Sequence, residues 1–236
     1  MKNKIILAVS AHEDDLEFGC SGTIAKWVKE GAKAYYLILT DGSKGNENRN
    51  LTDIEIKQIR EKEQIEASKI IGVEKVFFGN FTDGELKDSD DVRRKIVRVI
   101  REIKPDIVIG MNPNVIFNEE FGFINHPDHI EAGKATLFSV YPFSRNMHSF
   151  PELLKEGLEP YKVKELLLIA FSREGINEFI DITDTVDIKI KALEKHISQY
   201  DDFDSLKKNI LDRSSFIGKE KGYKYAEAFI KIKINQ

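Results

Sequence analysis

Two short segments hold the residues of this chain that are best suited to chemistry. The first reads Ala11-His12-Glu13-Asp14-Asp15-Leu16-Glu17, and the second reads Asn125-His126-Pro127-Asp128-His129. Three of the five histidines of the chain fall in these segments. Two imidazoles and a carboxylate form a suitable ligand set for zinc or ferrous iron. A catalytic zinc takes about three protein ligands and leaves one position for water, so the two segments together predict a hydrolytic metal centre.

The first segment offers one histidine and two adjacent aspartates. His12 and Asp15 are three positions apart, whereas Asp14 and Asp15 are neighbours. Neighbouring carboxylates cannot easily present their oxygens to one point in the same way. One of the two can therefore bind a metal while the other faces a water molecule, which suits a catalytic site with an open position.

The second segment predicts the start of a helix. Pro127 suits the first helical position, which makes His126 the N-cap residue. His126 and His129 then lie on one face, and both rings can reach one centre. The helix N-terminus disfavours a positive charge on His126, which Asp128 can offset by accepting a hydrogen bond.

Each segment also has an interpretation without a metal. An acidic loop after a strand commonly caps the next helix, and His-Pro-Asp-His commonly starts a helix without binding anything. The joint occurrence of both segments favours the metal. We expect the remaining candidates to be structural: Cys20 in the core, His148 and His196 in surface or packing positions. The glycine-rich loop 41–46 lacks the spacing of a phosphate-binding loop and predicts a plain turn.

Apolar runs alternate with amphipathic stretches and predict an α/β fold. A parallel sheet covered on both faces explains strands that are apolar throughout, so we expect a Rossmann-like three-layer sandwich with a mostly parallel sheet. Ligands of such sheets bind beyond the carboxyl ends of the strands, where both segments fall. The predicted strands are Ile5–Val9, Ala34–Leu39, Val76–Phe78, Ile107–Ile109, Lys164–Phe171 and Glu178–Ile182, and the predicted helices cover 24–28, 52–71, 92–103 and 186–197.

The long helix at 52–71 has a charged residue on its apolar stripe. The stripe uses Ile56, Ile59, Ala67 and Ile70, and Glu63 falls on it. A core-facing carboxylate needs a partner, and Arg60 is within reach at i,i+3, so we expect an Arg60–Glu63 pair.

Composition narrows the class of protein. The chain has 236 residues, 41% of them hydrophobic, which is enough for a core that needs no metal to fold. Its 36 basic and 40 acidic residues give a net charge of -4, which argues against nucleic-acid and membrane-surface partners. A single cysteine excludes an internal disulfide, and no apolar run approaches a membrane span. We expect one cytoplasmic domain over 1–236, with homo-oligomerisation left open.

With both segments in this order, the chain resembles the PIG-L-like (LmbE-like) zinc-dependent N-deacetylases. Their hallmark is Ala-His-Pro-Asp-Asp after the first strand and His-Pro-Asp-His downstream, which here read 11–15 and 126–129. Ordered supporting segments are Gly22-Thr23-Ile24-Ala25, Leu39-Thr40-Asp41-Gly42, Arg60 with Glu63, Asp83-Gly84, Lys191 to Ser198-Gln199, and Tyr225-Ala226-Glu227-Ala228-Phe229.

The resemblance implies roles for individual residues. His12, Asp15 and His129 would bind a divalent metal, usually zinc, with ferrous iron as the alternative. Asp14 would act as general base toward the attacking water. His126 would stabilise the oxyanion or protonate the leaving amine, with Asp128 orienting it, and Arg60 would contact substrate hydroxyls. The implied activity is removal of the acetyl group from a small N-acetylated amino sugar, such as an N-acetylglucosamine conjugate.

The chain departs from the family pattern at Glu13, where the usual residue is proline. Proline would fix the backbone between the histidine and the aspartates, and glutamate instead loosens it and adds negative charge. Two other classes of function stay open. The same ligands suit another metal-dependent hydrolase, such as a phosphoesterase or amidase, and the same fold suits a non-catalytic sugar-binding or nucleotide-binding protein.

Overall fold

The computed structural model describes residues 1–119 and 122–235. The strands are β1 (Ile5–Ser10), β2 (Lys33–Thr40), β3 (Lys75–Phe81), β4 (Ile107–Gly110), β5 (Phe117–Asn118), β6 (Phe123–Ile124), β7 (Glu165–Ile169), β8 (Glu178–Asp181) and β9 (Ala226–Lys233). Seven of them form one sheet in the order β3-β2-β1-β4-β7-β9-β8, and β5 pairs with β6 in a separate hairpin.

The part of the sheet that matters for function is parallel. The strands β3, β2, β1, β4 and β7 run in the same direction, and β9 joins β7 and β8 antiparallel. In β1 the run Ile6–Val9 is fully buried, because helices cover both faces of the sheet. The predicted α/β class with a mostly parallel sheet is confirmed.

The helices pack in two groups against the sheet. Within one group α1, α2, α3 and α7 contact one another, and α4 contacts α5 in the other. Among the described residues, none of the helices combines the length and apolar character needed to cross a membrane. The helices are α1 (Asp15–Gly19), α2 (Ser21–Lys29), α3 (Asp53–Ile71), α4 (Asp90–Ile103), α5 (Pro127–Phe138), α6 (Pro151–Lys155), α7 (Val186–Leu193) and α8 (Phe203–Lys219), with a π-helical turn at Ser139–Phe143 and a 3₁₀ turn at Ile197–Gln199.

Local signals set the ends of α3. Thr52 and Glu55 form a reciprocal capping box at its start, and Gly72 ends it in the left-handed conformation with a φ of 90°. The start of α2 is capped from a distance instead. The carboxylate of Glu227 on β9 accepts the backbone N–H groups of Gly22 at 3.1 Å and Thr23 at 2.7 Å.

Two expectations about helices need correction. The predicted stripe of α3 is buried only in part, since Ile56, Glu63 and Ala67 are buried but Ile59 and Ile70 are half-buried. The buried face combines the apolar Ile56, Ala67 and Ile71 with four polar residues: Arg60, Glu63, Gln64 and Ser68. The helix predicted to reach Ile197 ends at Leu193, and Ile197 is 77% exposed. The chain turns there because Ser198 binds Glu63 of α3 through its backbone N–H at 2.8 Å and its hydroxyl at 2.7 Å.

Candidate metal centre

The candidate site lies at the carboxyl edge of four adjacent strands. His12 follows β1, the loop 41–46 follows β2, Asp83 follows β3, and the segment Asn125–His129 comes after β4. Because these strands are neighbours in the order β3-β2-β1-β4, the connections that leave their carboxyl ends meet. The two segments singled out in the sequence are thus brought together.

Three side chains converge closely enough to hold one ion. His129 Nε2 lies 3.3 Å from His12 Nδ1 and 3.0 Å from Asp15 Oδ1. His12 Nδ1 lies 3.6 Å from Asp15 Oδ2. Tetrahedral ligand atoms about 2.0–2.1 Å from a zinc ion are roughly 3.3 Å apart, so the spacing and the donor types fit such an ion. His12, Asp15 and His129 therefore form a candidate metal-binding group.

Local structure fixes each of these three side chains. The carboxylate of Asp15, the first residue of α1, accepts the backbone N–H of His12 at 2.8 Å. His129 lies in the first turn of α5, and its Nδ1 is 2.9 Å from Asn125 Oδ1. Burial alone would raise the pKa of Asp15, but contact with His129 and His12 holds it well below its usual value. The carboxylate is therefore ionised and available to a cation.

His12 also contacts a second group of acids through its other nitrogen. Its Nε2 lies 3.1 Å from Asp83 Oδ1 and 3.4 Å from Asp128 Oδ2. Burial lowers the pKa of His12, but the carboxylates of Asp128, Asp15 and Asp83 outweigh it and raise the pKa well above the usual value. A proton and a metal ion therefore compete for His12, because a histidine must be neutral to bind a metal.

Asp14 stands beside the three ligands in a strained conformation. It is the N-cap of α1 with a φ of 88°, in the left-handed region that non-glycine residues rarely adopt. Its backbone N–H donates to Gln64 Oε1 at 3.3 Å, and its Oδ2 accepts the Tyr200 hydroxyl at 2.5 Å. Burial and the neighbouring Asp15 charge raise the pKa of Asp14, which Arg60 and His196 oppose. A carboxylate whose pKa is raised in this way is a better proton acceptor.

Tyr200 is a site residue that sequence reasoning misses. It follows the 3₁₀ turn, and its ring packs edge-on against Phe18 with centroids 5.8 Å apart. Tyr200 and Asp14 are 186 positions apart, and no local pattern marks a tyrosine as a partner of a distant aspartate. Its only sequence signal is that it directly follows the supporting segment that ends at Gln199.

His126 is the N-cap of α5, as predicted, but Asp128 contacts it differently from the prediction. His126 Nδ1 accepts the backbone N–H of Asp128 at 3.2 Å. The Asp128 carboxylate instead accepts the N–H groups of Gly84 at 2.7 Å and Leu86 at 3.2 Å. Burial and the nearby His12 lower the pKa of His126, although Asp128 opposes this. The neutral ring that results carries its proton on Nε2.

The predicted Arg60–Glu63 pair is wrong. Arg60 is buried and donates to the carbonyl oxygens of Gly42 at 3.1 Å and Glu13 at 2.9 Å. Its Nε lies 3.4 Å from Glu13 Oε2, and its Nη2 lies 3.8 Å from Asp14 Oδ1. The α3 face that bears Arg60 is turned toward the first segment, while Glu63 binds Ser198.

Glu13 therefore points into the protein rather than toward solvent. Its side chain is fully buried, and burial raises the pKa of Glu13 to about 7 against the opposing charge of Arg60. The glycine-rich loop closes over this pair. A Cβ at Gly42 would lie 2.2 Å from Glu13 Oε2, and one at Gly45 would lie 2.0 Å from Arg60 Nη1. The two glycines are needed because any side chain there would collide with the pair.

The remaining candidates occupy structural positions. Cys20 is fully buried, as predicted. His148 is exposed. His196 is fully buried and lies 3.5 Å from Glu17 Oε2, which raises the pKa of His196 although burial lowers it.

The sequence matches one described family and several known deacetylases. Residues 7–139 match the family described as PIG-L, GlcNAc-PI de-N-acetylase. The chain is 32% identical over 231 residues to a diacetylchitobiose deacetylase of Thermococcus kodakarensis, covering 95% of this chain and 81% of that protein. It is 26% identical to a probable N-acetyl-alpha-D-glucosaminyl L-malate deacetylase 2 of Bacillus anthracis, covering 85% and 84% respectively.

A solved structure extends the likeness to the fold. N,N'-diacetylchitobiose deacetylase from Pyrococcus horikoshii, complexed with its inhibitor MPG, superposes with a TM-score of 0.89 at 30% identity, covering 98% of this chain and 84% of that chain. The family resemblance predicted from the two segments is confirmed. Because the family match spans residues 7–139 and a 32% identical relative aligns with 95% of the chain, this protein belongs to the PIG-L (LmbE-like) family.

Proposed function

We propose that this protein is a zinc-dependent N-deacetylase that hydrolyses the acetamido group of a small N-acetylated amino sugar. Family membership and the names of its relatives, which include a diacetylchitobiose deacetylase, support this substrate class. The observation that carries the proposal is the three-ligand group His12, Asp15 and His129 with the carboxylate of Asp14 beside it.

His12, Asp15 and His129 would hold the zinc, with ferrous iron as the alternative. When bound, such an ion lowers the pKa of a coordinated water and polarises the amide carbonyl. The chain contributes ligands that are already close together, since His129 Nε2 lies within 3.3 Å of both other side chains. Little rearrangement is then needed on binding.

Asp14 would accept the proton of the attacking water. Its Oδ2 is occupied by the Tyr200 hydroxyl, which leaves Oδ1 for the incoming proton. The same carboxyl group can then deliver this proton to the departing amine, which needs one to leave. Tyr200 and Gln64 support this role because they hold the side chain and the strained backbone of Asp14 in place.

His126 would stabilise the oxyanion that forms as water attacks. Its Nδ1 accepts the N–H of Asp128, so the neutral ring presents Nε2–H as a donor. A preorganised donor of this kind contributes roughly 10²–10³-fold to the rate. This arrangement favours oxyanion stabilisation over protonation of the amine, and Asp128 orients His126 through its backbone.

The role of Arg60 in substrate binding stays a prediction. Its side chain is 5% exposed and is already engaged by Glu13 and Gly42. That burial favours an indirect action, in which Arg60 fixes the backbone around Asp14.

We further propose that 1–236 forms one PIG-L/LmbE-like domain, because its sheet draws strands from both ends of the chain. We also propose that the protein works in the cytoplasm, which its single cysteine supports.

A substrate panel tests the proposed function. Zinc-loaded protein is incubated with N,N'-diacetylchitobiose, N-acetylglucosamine, N-acetylglucosaminyl malate and p-nitrophenyl phosphate. Acetate, free amine and phosphate are measured. We expect equimolar acetate and amine from at least one acetamido sugar. Release of phosphate without acetate would support the phosphoesterase alternative, and sugar binding without any product would support the non-catalytic one.

A further inference from the structure

We propose that Asp83 is a positioning residue of the metal centre, which holds the Nε2 side of His12 so that Nδ1 is presented to the ion. This inference rests on the proposed function, but it concerns metal affinity and not deacetylation. It adds a function for a residue that neither the two sequence segments nor the proposed mechanism uses.

The two ring nitrogens of His12 face different groups. Nδ1 lies 3.3 Å from His129 Nε2 and 3.6 Å from Asp15 Oδ2, inside the three-ligand group. Nε2 points the other way, 3.1 Å from Asp83 Oδ1 and 3.4 Å from Asp128 Oδ2. It is buried and makes no well-aligned hydrogen bond with either one. These distances are those of an Nε2–H group that points between the carboxylates of Asp83 and Asp128. Its N–H bond is then aligned with neither acceptor oxygen.

Asp83 is itself held firmly. It is 4% exposed, its Oδ2 accepts the backbone N–H of Lys44 at 3.0 Å, and its own N–H donates to Asp41 Oδ1 at 3.2 Å. Oδ2 is thus hydrogen-bonded to the backbone of Lys44, and Oδ1 lies in contact with the His12 ring. The carboxylate cannot rotate without breaking one of these contacts, so it holds the His12 ring in one orientation.

A carboxylate behind a metal-binding histidine has a known physical effect. It fixes the tautomer and the ring orientation and makes the other nitrogen a stronger ligand. The second histidine ligand, His129, has only the neutral amide of Asn125 behind it, 2.9 Å from its Nδ1. Of the two histidines, His12 is therefore the one with a carboxylate beside its second nitrogen. The affinity of the site for the ion should then depend on Asp83.

The test compares zinc affinity between the wild type and an Asp83→Asn variant. Asparagine keeps the volume but has one acceptor oxygen, so its NH₂ must face either His12 or the Lys44 N–H. Both full-length proteins are stripped of metal, and zinc is titrated in competition with a chromogenic chelator. We expect Asp83→Asn to bind zinc about 10–100-fold more weakly, with one ion per chain in both proteins. The absorption spectrum with cobalt should be unchanged, because no ligand is removed.

Asp106→Asn is the matched control. Asp106 is a carboxylate at the opposite edge of the sheet that accepts from Lys4 Nζ at 2.9 Å and the Ile5 N–H at 3.1 Å, and its variant should keep wild-type zinc affinity. If Asp83→Asn unfolds without metal, Asp83→Ser gives the same readout without an NH₂ against Lys44.

Three results would overturn the role of Asp83. They are wild-type affinity in the variant, an altered cobalt spectrum, and a drop from two ions to one. The last two would make Asp83 a direct ligand, as in the alternative group His12, Asp83 and His126. Absence of zinc binding in the wild type would instead contradict the proposed function itself.

Discussion

At the residue scale, adjacent side chains of the first segment have separate tasks. Glu13 turns inward to Arg60, Asp14 is held by Tyr200, and Asp15 joins the histidines. The left-handed conformation of Asp14, with its φ of 88°, makes this division possible because it turns consecutive side chains in different directions. The strain is offset by contacts from α3 and from the residue after the 3₁₀ turn.

The proposed base gives the first prediction. Asp14→Asn should lower kcat by about 10²–10⁴-fold, because an amide keeps the shape of the side chain but cannot accept a proton from water. Zinc affinity should stay within a few-fold of wild type, since Asp14 is not one of the three ligands. Asp90→Asn, an exposed carboxylate at the start of α4, is the control. An Asp14→Asn enzyme of near-normal kcat would place the base elsewhere, with Glu13 the next candidate.

The buried pair of Arg60 and Glu13 gives the second prediction. Arg60→Met should lower the free energy of unfolding by about 3–5 kcal/mol, because it removes the cation beside the fully buried Glu13 carboxyl group and the donor to the Gly42 carbonyl. Adding Glu13→Gln should recover much of that loss, which a double-mutant cycle in urea would measure. Additive losses would mean that the two side chains do not interact. A KM increase that persists in the double variant would support the predicted substrate contact of Arg60.

The proposed ligands were predictable from sequence, whereas the contacts of Asp83 and Tyr200 with the site were not. His12 with Asp15, and His126 with His129, stand three positions apart, so a short pattern shows them together. Asp83 and Tyr200 reach the site only through the fold, since they lie on separate connections. The prediction of an Arg60–Glu63 pair was wrong because spacing along one helix does not show partners on other segments. Glu63 binds Ser198, and Arg60 lies beside Glu13.

At the scale of elements, one buried carboxylate joins strand β9 to the helices α2 and α7. Glu227 on β9 caps the first turn of α2 and receives Lys189 Nζ of α7 at 2.6 Å. Both charged side chains are almost fully buried, at 4% and 2% exposure. Because α2 follows α1 directly, this contact also steadies the segment that carries Asp14 and Asp15.

Glu227→Gln should therefore destabilise the fold. It leaves the Lys189 ammonium buried without a full countercharge, so we expect the free energy of unfolding to fall by about 3 kcal/mol in urea titrations. Glu178→Gln on β8, whose carboxylate is half-exposed near Lys231, is the matched control and should change it by less than about 1 kcal/mol. Equal effects of the two variants would contradict a special role for the buried pair.

Asp106 gives a prediction that depends on pH. It joins the start of β1 and β7 at the amino edge of the sheet, through Lys4 and Lys164. Burial would raise the pKa of Asp106, but the contact with Lys4 outweighs it and lowers the pKa. A lowered carboxyl pKa stabilises the folded state above the unfolded value, about 3.9, and this contribution is lost as the pH falls through the folded pKa.

Asp106→Asn should accordingly be about 1 kcal/mol less stable than wild type at pH 7, since both lysines are largely exposed to solvent. The difference should shrink steadily below about pH 4. Urea unfolding at several pH values measures this. A difference that is constant from pH 7 to pH 3 would mean that shape rather than charge makes Asp106 important.

Most elements of the sheet were predictable because the inner strands are apolar throughout and lie between helices. The antiparallel strand β9 was not predicted, although its second half alternates apolar residues with lysines, which is the pattern of a half-buried strand. The end of α7 was also missed. Its apolar spacing continues to Ile197, but the contact between Ser198 and Glu63 of a distant helix stops it at Leu193. Such an end is set by tertiary structure and leaves no local signal.

At the scale of the whole molecule, the core and the site are separate. The continuous buried cluster includes residues of β1, β2, β4 and β7, and the ligands lie beyond the strand ends. A core of this size can stand without a metal, so the ion would serve the reaction rather than the fold. The metal-free protein should therefore keep its helical circular dichroism.

In the proposed function, one metal ion per chain makes this protein a deacetylase. The most direct test is to titrate zinc into metal-free protein and to follow acetate release from each acetamido sugar of the substrate panel at each point. We expect activity to rise linearly and to level off at one equivalent, with none in a His129→Ala variant at the same zinc concentration. Full activity without metal, or folded zinc-loaded protein that releases no acetate, would contradict the account.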